Sequence, residues 1–176
     1  QYISMNKEMT PEEVTISAAE ARFLRAYYYW QLLRKYGPIP ILPDKGVDFT
    51  KDYSELEIPR STYEECVDYI ASELALAARD LPGKDGRSNR EIAKPTKGTA
   101  LAARAKVYLY GASPQYNGNT SAFAKLLVDN NGRSLLADKD GNVVYKPERW
   151  AKAAAAAKEV MDLGEYRLYT VSKRAV

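Results

Sequence analysis

The chain has 176 residues, of which 45% are hydrophobic and 28% are charged, with a formal net charge of +3. These values are ordinary for a globular protein and predict a single domain over residues 1–176. Basic and acidic residues alternate along most segments, which gives little support to nucleic-acid binding. No apolar run approaches the roughly 20 residues of a membrane span, and Gln1 does not open a signal peptide. Any anchor or export signal is therefore expected to lie outside this chain.

The first predicted element is a helix over residues 17–36. Ser17 and Glu20 have the spacing of a capping box, in which each side chain satisfies a backbone donor of the first turn. Gly37 can take the left-handed conformation that ends a helix. Because the helix is apolar on two opposite sides, we expect it to lie between two neighbours, as the inner helix of an α-solenoid does. The first stripe comprises Ala19, Phe23, Ala26, Tyr27, Trp30 and Leu33, and the second Ala21, Leu24, Tyr28 and Leu32.

The second helix is predicted over residues 61–81, after a proline-rich extended segment at residues 38–59. Ser61 and Glu64 form another candidate capping box. Cys66, the only cysteine in the chain, lies on the apolar side of this helix and is expected to be a buried structural residue. The apolar positions recur at three- and four-residue spacing: Tyr63, Cys66, Val67, Ile70, Leu74, Ala77 and Leu81.

Two further helices are predicted over residues 96–112 and 147–163. Thr96 is a candidate N-cap, and Pro147 suits a first helical turn. Both helices are rich in alanine, which favours the close helix pairs of tetratricopeptide-like (TPR-like) hairpins. The second and third helices are predicted to be antiparallel. Residues 113–146, here called the excursion, separate the two helices. Within it, Asp140 and Gly141 between apolar runs predict a small β-hairpin that pairs residues 134–137 with residues 142–145.

The residues that carry chemistry are few. The chain has no histidine, which excludes Ser-His-Asp and Cys-His catalysis and most zinc sites. Residues 138–142 resemble the start of a calcium loop, but the glycine comes too early and the distal Glu is missing. A glycosidase needs two carboxyl groups facing each other across roughly 5 to 9 Å, which sequence spacing does not reveal. We therefore predict a protein that is not an enzyme and has no metal or other cofactor.

Fourteen tyrosines are the unusual feature of the composition. Aromatic faces stack on sugar rings, but most of these tyrosines lie in predicted helices, where packing is the more frequent role. Tyr116 is different because it lies with Asn117 and Asn119 in a glycine-containing loop, and loops often carry function. These three residues are the candidate ligand-binding residues.

The segment AEARFLRAYYYWQLLRKYGPIPILP, residues 19–43, resembles the signature of the SusD/RagB family of outer-membrane nutrient-binding lipoproteins. That family carries A-E-A-R-F-L-R-A-x-x-Y, a Tyr-Gly-x-x-Pro turn and a short hydrophobic exit. Three further parts of the chain resemble later landmarks of the family: residues 60–70 with 80–82, residues 95–114 and residues 150–166. The similarity covers nearly the whole chain but only the middle of the family. Lys146 departs from the pattern, since relatives often have an Asp cap at that position.

The resemblance implies an all-α, TPR-like helical repeat (an α-α superhelix) with long loops. It also implies a cell-surface lipoprotein, held at the outer membrane by a lipid anchor outside this chain. Such proteins bind an oligosaccharide, or in some members a peptide, and form the lid of a SusC-like TonB-dependent transporter. This chain would serve mainly as scaffold and transporter docking surface. The alternative function, from a different functional class, is that of a helical-repeat adaptor that binds another protein.

Overall fold

The computed structural model of the chain describes residues 3–48, 50–52, 54 and 56–170. Four α-helices follow in these residues: α1 is Pro11–Tyr36, α2 is Tyr63–Asp80, α3 is Lys97–Ala112 and α4 is Glu148–Asp162. The only β-pairing in the described part of the chain is an isolated antiparallel bridge between Val128 and Ser134. The predicted all-α class is confirmed. None of the helices described here is long and apolar enough to cross a membrane.

Consecutive helices are antiparallel, and each packs against the next. The backbone N–H of Lys97 donates to the carbonyl of Pro82 over 2.9 Å, which joins the end of α2 to the start of α3. At the other end, Gly111 of α3 lies against Val67 of α2. The predicted antiparallel arrangement of the second and third helices is therefore observed. An up-down series of close helices is the layout expected of TPR-like hairpins.

The start of α1 differs from the prediction. The helix begins at Pro11, six residues before Ser17, and Thr10 is its N-cap. The N–H of Glu13 donates to Thr10 Oγ1 (3.2 Å) and the N–H of Thr10 donates to Glu13 Oε2 (2.8 Å). Pro11 adds a fixed φ at the first helical position. The predicted capping box at Ser17 is therefore wrong, because a complete box and a proline start the same helix further upstream.

The N-cap of α2 is also displaced, by one residue. The box uses Thr62 and Glu65 instead of Ser61 and Glu64, with the N–H of Thr62 donating to Glu65 Oε2 over 2.6 Å. Both pairs have the required spacing, so the local sequence does not distinguish them. The shift leaves the Glu64 carboxylate available for partners outside the helix. The prediction for α3 is confirmed, since Thr96 caps it by accepting from the N–H of Thr99.

The core lies where the apolar stripes of the helices meet. The α2 stripe from Tyr63 to Leu81 is buried as predicted, and Cys66 is fully buried within it. Burial raises the pKa of the Cys66 thiol, which keeps it protonated and supports a structural role. The first stripe of α1 is buried against this surface, most completely at Ala26, Trp30 and Leu33, except for Tyr27, which is 39% exposed.

The second stripe of α1 lies at the surface. The solvent-exposed fractions of Leu24, Tyr28 and Leu32 are 45%, 64% and 44%. Within the described residues α1 packs extensively against α2 alone, with brief contacts to α3 and the Ile3–Met5 turn. The prediction that α1 lies between two neighbours is therefore wrong for the described part of the chain. Periodicity identifies an apolar side of a helix but does not supply the partner that covers it.

The predicted β-hairpin in the excursion does not form. A turn at Asp138–Gly141 is present, with the N–H of Asp138 donating to the carbonyl of Asn142 over 2.9 Å. The flanking residues do not pair because they go to different environments. Leu135 is fully buried, and its carbonyl accepts the N–H of Tyr63 at the start of α2, whereas Val144 and Tyr145 are exposed. Core packing therefore overrides the local hairpin preference.

Candidate functional site

The excursion meets the first turns of α2 and α4 in a cluster of four charged residues, here called the polar junction: Glu64, Asp138, Lys146 and Arg149. Lys146 Nζ lies 3.1 Å from both Glu64 Oε2 and Asp138 Oδ2. Arg149 Nη2 lies 2.9 Å from the same Glu64 oxygen. Burial alone would lower the pKa of Lys146, but the hydrogen bonds with Asp138 and Glu64 raise it overall. The junction therefore holds its charges as mutually satisfied pairs.

Asp138 is the residue that ties the excursion's turn to this cluster. Its carboxylate accepts the backbone N–H groups of Asn142 (2.9 Å) and Asp140 (3.0 Å) as well as the Lys146 contact. The Asn142 N–H and then Lys146 lower the pKa of Asp138 below its usual range. A catalytic general acid needs the opposite shift, towards a raised pKa. The geometry of Asp138 is that of a structural anchor.

Tyr116 lies in a turn directly after α3, as predicted, but its ring is packed. It stacks on the ring of Tyr63 with the two planes 8° apart and the centroids 3.6 Å apart. Tyr63 is only 1% exposed, and burial raises the pKa of its hydroxyl. The carbonyl of Tyr116 also accepts Arg149 Nη1 over 3.3 Å. One face of the Tyr116 ring therefore covers the core.

Asn117 and Asn119 use their amides within the chain. Asn117 is 3% exposed; it donates from Nδ2 to the carbonyl of Lys146 (2.9 Å) and accepts the Lys146 N–H at Oδ1 (2.8 Å). Asn119 donates to the carbonyl of Gln115 and accepts the N–H of Ser121, both over 3.0 Å. The loop thus brings together the three residues predicted from the sequence. That they bind ligand stays a prediction, and the observed contacts give Asn117 a structural role.

Gly118 lies in the same loop and packs closely against the backbone of Tyr145. Its φ is +74°, and a Cβ placed on it would lie 2.6 Å from the backbone Cα of Tyr145. Gly118→Ala is expected to lower the free energy of unfolding by about 2–3 kcal/mol, because it combines left-handed strain with a backbone overlap. Urea denaturation measures the loss.

Gly141→Ala is the matched control for Gly118. Gly141 has a similar φ of +83°, but a Cβ there would meet no atom within 4 Å. Its expected cost is the conformational strain alone, about 1 kcal/mol. Equal losses in the two variants would contradict the close contact between Gly118 and Tyr145.

Two openings lie away from the polar junction. An apolar groove runs between α3 and α4 and the segment after α4, with Ala105, Val160 and Leu168 among its walls. A polar cleft lies between residues 54 and 57–60 on one side and residues 129–131 on the other. The described residues contain no group of three or more Cys, Asp or Glu side chains that could hold a metal ion. Sequence spacing did not point to either opening, because each is built from segments far apart in the chain.

The architecture and its tethered loops define an all-α, TPR-like scaffold. The model of a SusD-like family, described as "Starch-binding associating with outer membrane", matches residues 1–109. The chain belongs to this SusD-like family, which confirms the resemblance stated from the sequence. The family description also agrees with the predicted localisation at the outer membrane.

Individual relatives show the same similarity. SusD-like protein P2 of Formosa agariphila is 36% identical over 99 residues, which are 55% of this chain and 18% of that protein. Among solved structures, BT4246 is 31% identical with a TM-score of 0.71, over 88% of this chain and 25% of BT4246. A SusD-like protein of Bacteroides fragilis, BF3747, is 26% identical with a TM-score of 0.62, over 91% of this chain and 23% of BF3747. The chain therefore spans about a fifth to a quarter of the length of these relatives.

Proposed function

We propose that the full-length protein captures an oligosaccharide at the cell surface and releases it chemically unchanged. The observation that carries this proposal is the match of residues 1–109 to a family described as starch-binding. The Asp138 carboxylate is occupied by the N–H groups of Asn142 and Asp140 and by Lys146, which supports a structural role for this residue over a catalytic one. A peptide ligand is the second ligand class, to be distinguished by experiment.

The proposed partner is a SusC-like TonB-dependent transporter of the outer membrane, for which the protein acts as lid. Within this arrangement the chain is mainly scaffold and docking surface. The exposed stripe of α1, with Leu24, Tyr28 and Leu32, supports docking because contiguous apolar surface on a folded protein marks interaction sites. Tyr116, Asn117 and Asn119 would contribute at most one edge of the ligand site.

A pull-down with the full-length protein from solubilised outer membranes tests the partner. We expect it to recover a TonB-dependent transporter, and Leu24→Glu with Tyr28→Glu to weaken that recovery while oligosaccharide binding is retained. Lys158→Glu on the exposed side of α4 is the control for a charge change elsewhere. Recovery of a soluble protein instead of a transporter would favour the adaptor.

The same preparation tests whether the ligand is left intact. Incubation with the bound oligosaccharide should return it unchanged by mass spectrometry. Shorter product sugars would overturn the non-enzymatic proposal and support a carbohydrate-active enzyme.

A further inference from the structure

The polar cleft lies between the segment that precedes α2 and residues 129–131 of the excursion, away from the loop of Tyr116. Its volume is about 390 Å³, within the roughly 300–1,000 Å³ range of small-molecule sites. Two segments form its walls, one preceding α2 and one at the tip of the Val128–Ser134 bridge. The side chains that line the cleft include Glu57, Ile58, Pro59, Arg60, Asp129, Asn130 and Asn131.

The wall at residues 129–131 is held by Asp129 and Arg133. The Asp129 carboxylate accepts the backbone N–H groups of Asn131 and Arg133, each over 2.9 Å, and Arg133 Nε over 3.1 Å. The Arg133 N–H and the Asn131 N–H lower the pKa of Asp129. Asp129 and Arg133 therefore stabilise the loop through these hydrogen bonds. Asn130 and Asn131 lie between them on the resulting turn.

The opposite wall is fixed as well, and the two walls are joined. Arg60 Nε donates to the carbonyl of Pro38 over 2.7 Å, and the N–H of Ser61 donates to the carbonyl of Ile39 over 3.1 Å. Arg133 Nη2 donates to the carbonyl of Arg60 over 2.6 Å, across the base of the cleft. A ligand entering a cleft with preformed walls loses less affinity to ordering the protein.

The polar side chains that face this cleft are available to a ligand. Asn130, Asn131 and Glu57 are exposed, and none of their side chains makes a hydrogen bond or ion pair with another residue in the described part of the chain. Asn117 and Asn119, in contrast, use their amides within the chain. Each free amide offers two donors and an acceptor, and the Glu57 carboxylate offers further acceptors.

The charges of the cleft balance. Glu57 and Arg60 carry opposite charges on the same wall, and Asp129 on the other wall is paired with Arg133. Such a balance favours a neutral ligand rich in hydroxyl groups over a strongly charged one. The ring of Pro59 and the side chain of Ile58 add apolar surface to the same opening, which suits the apolar face of a sugar ring.

We propose that the polar cleft is a subsite for a neutral oligosaccharide, with Asn130 and Asn131 hydrogen-bonding to sugar hydroxyls and Glu57 accepting from a further hydroxyl. This assignment rests on the proposed function, since it places part of the glycan contact on this chain. It goes beyond that function by assigning the contact to residues that the sequence motifs do not single out.

Calorimetry on the full-length protein tests the assignment. The probes are maltoheptaose and a panel of other neutral oligosaccharides, with a uronic-acid oligosaccharide as the charged comparison. For the neutral probe that binds most tightly, Asn130→Ala with Asn131→Ala is expected to raise Kd about tenfold or more, as the loss of two hydrogen bonds predicts. Glu57→Gln is expected to raise it less, because an acceptor oxygen remains.

Asn89→Ala is the matched control, because Asn89 is an exposed asparagine of the short 3₁₀ helix Asn89–Glu91, outside the cleft. It should leave Kd unchanged, and all variants should keep the thermal midpoint of the parent protein. Unchanged affinity in the double asparagine variant, with the parent protein binding glycan, would overturn the cleft assignment alone. Failure of the parent protein to bind any neutral oligosaccharide would overturn the proposed function and the cleft together. Tighter binding of the uronic-acid probe would contradict the neutral-ligand assignment.

Discussion

Trp30→Ala is expected to lower the free energy of unfolding by about 3–5 kcal/mol, the range for truncating a large buried aromatic side chain. Trp30 is 2% exposed in the interior of α1. Its ring meets that of Tyr110 of α3 edge-on, with centroids 5.0 Å apart, and the guanidinium of Arg34 lies 5.8 Å from the centre of the Trp30 ring. The substitution therefore removes contacts that join α1 to α3 as well as apolar burial.

Trp150→Ala supplies the control, because Trp150 is the other tryptophan of the chain and is 40% exposed on α4. It should cost well under half as much, since much of its ring remains in water in the folded state. Urea denaturation followed by circular dichroism compares the variants without relying on tryptophan fluorescence. Similar losses in the two variants would contradict the placement of Trp30 in the core.

Leu135→Ala is expected to cost about 2–5 kcal/mol, although the residue lies in an irregular segment. Leu135 is fully buried. Its backbone is anchored independently of the side chain, since its N–H donates to the carbonyl of Leu127 (2.9 Å) and its carbonyl accepts the N–H of Tyr63 (2.8 Å). The variant retains these hydrogen bonds, so the measured loss reports the side chain in its cavity.

Leu126→Ala is the matched control for Leu135, from the same excursion. Leu126 is 77% exposed, and its truncation should change the free energy of unfolding by less than about 0.5 kcal/mol, as for most surface substitutions. Urea denaturation compares the two variants, with the same dependence of the unfolding free energy on urea concentration used for both. If Leu135→Ala were as mild as Leu126→Ala, the excursion would not be part of the core.

The sequence by itself determined the helices, the buried face of α2 and the family. These features depend on local patterns: a 3.6-residue period, a capping residue followed three positions later by Glu, and a proline or glycine at the end. Thr96 and Gly37 illustrate this, because Thr96 caps α3 as predicted and Gly37 ends α1 with a positive φ of +73°, although its ψ of −154° is not that of the left-handed helix. The family match likewise begins with a contiguous signature, so it required no knowledge of the fold.

Local patterns were insufficient where several candidates fit the same rule. Thr10 and Ser17 both precede a Glu at the third position, and so do Ser61 and Thr62. Pro11 favours the upstream start of α1, and the structure selects Thr62 for α2 while Glu64 turns to Lys146 and Arg149. Which of two equivalent candidates becomes the N-cap therefore depends on the other contacts made at that end of the helix.

The tertiary structure alone decided the path of the excursion and which side of α1 is covered. Asn117 bonds to Lys146 across 29 positions of the chain, and Lys146 pairs with Glu64 across 82. Leu135 leaves its expected strand because burial beside α2 stabilises it more than pairing across a short hairpin would. The two sides of α1 are similarly apolar, yet only the side facing α2 is buried. Contacts between distant segments determine these features, and local residue spacing in the sequence does not predict such contacts.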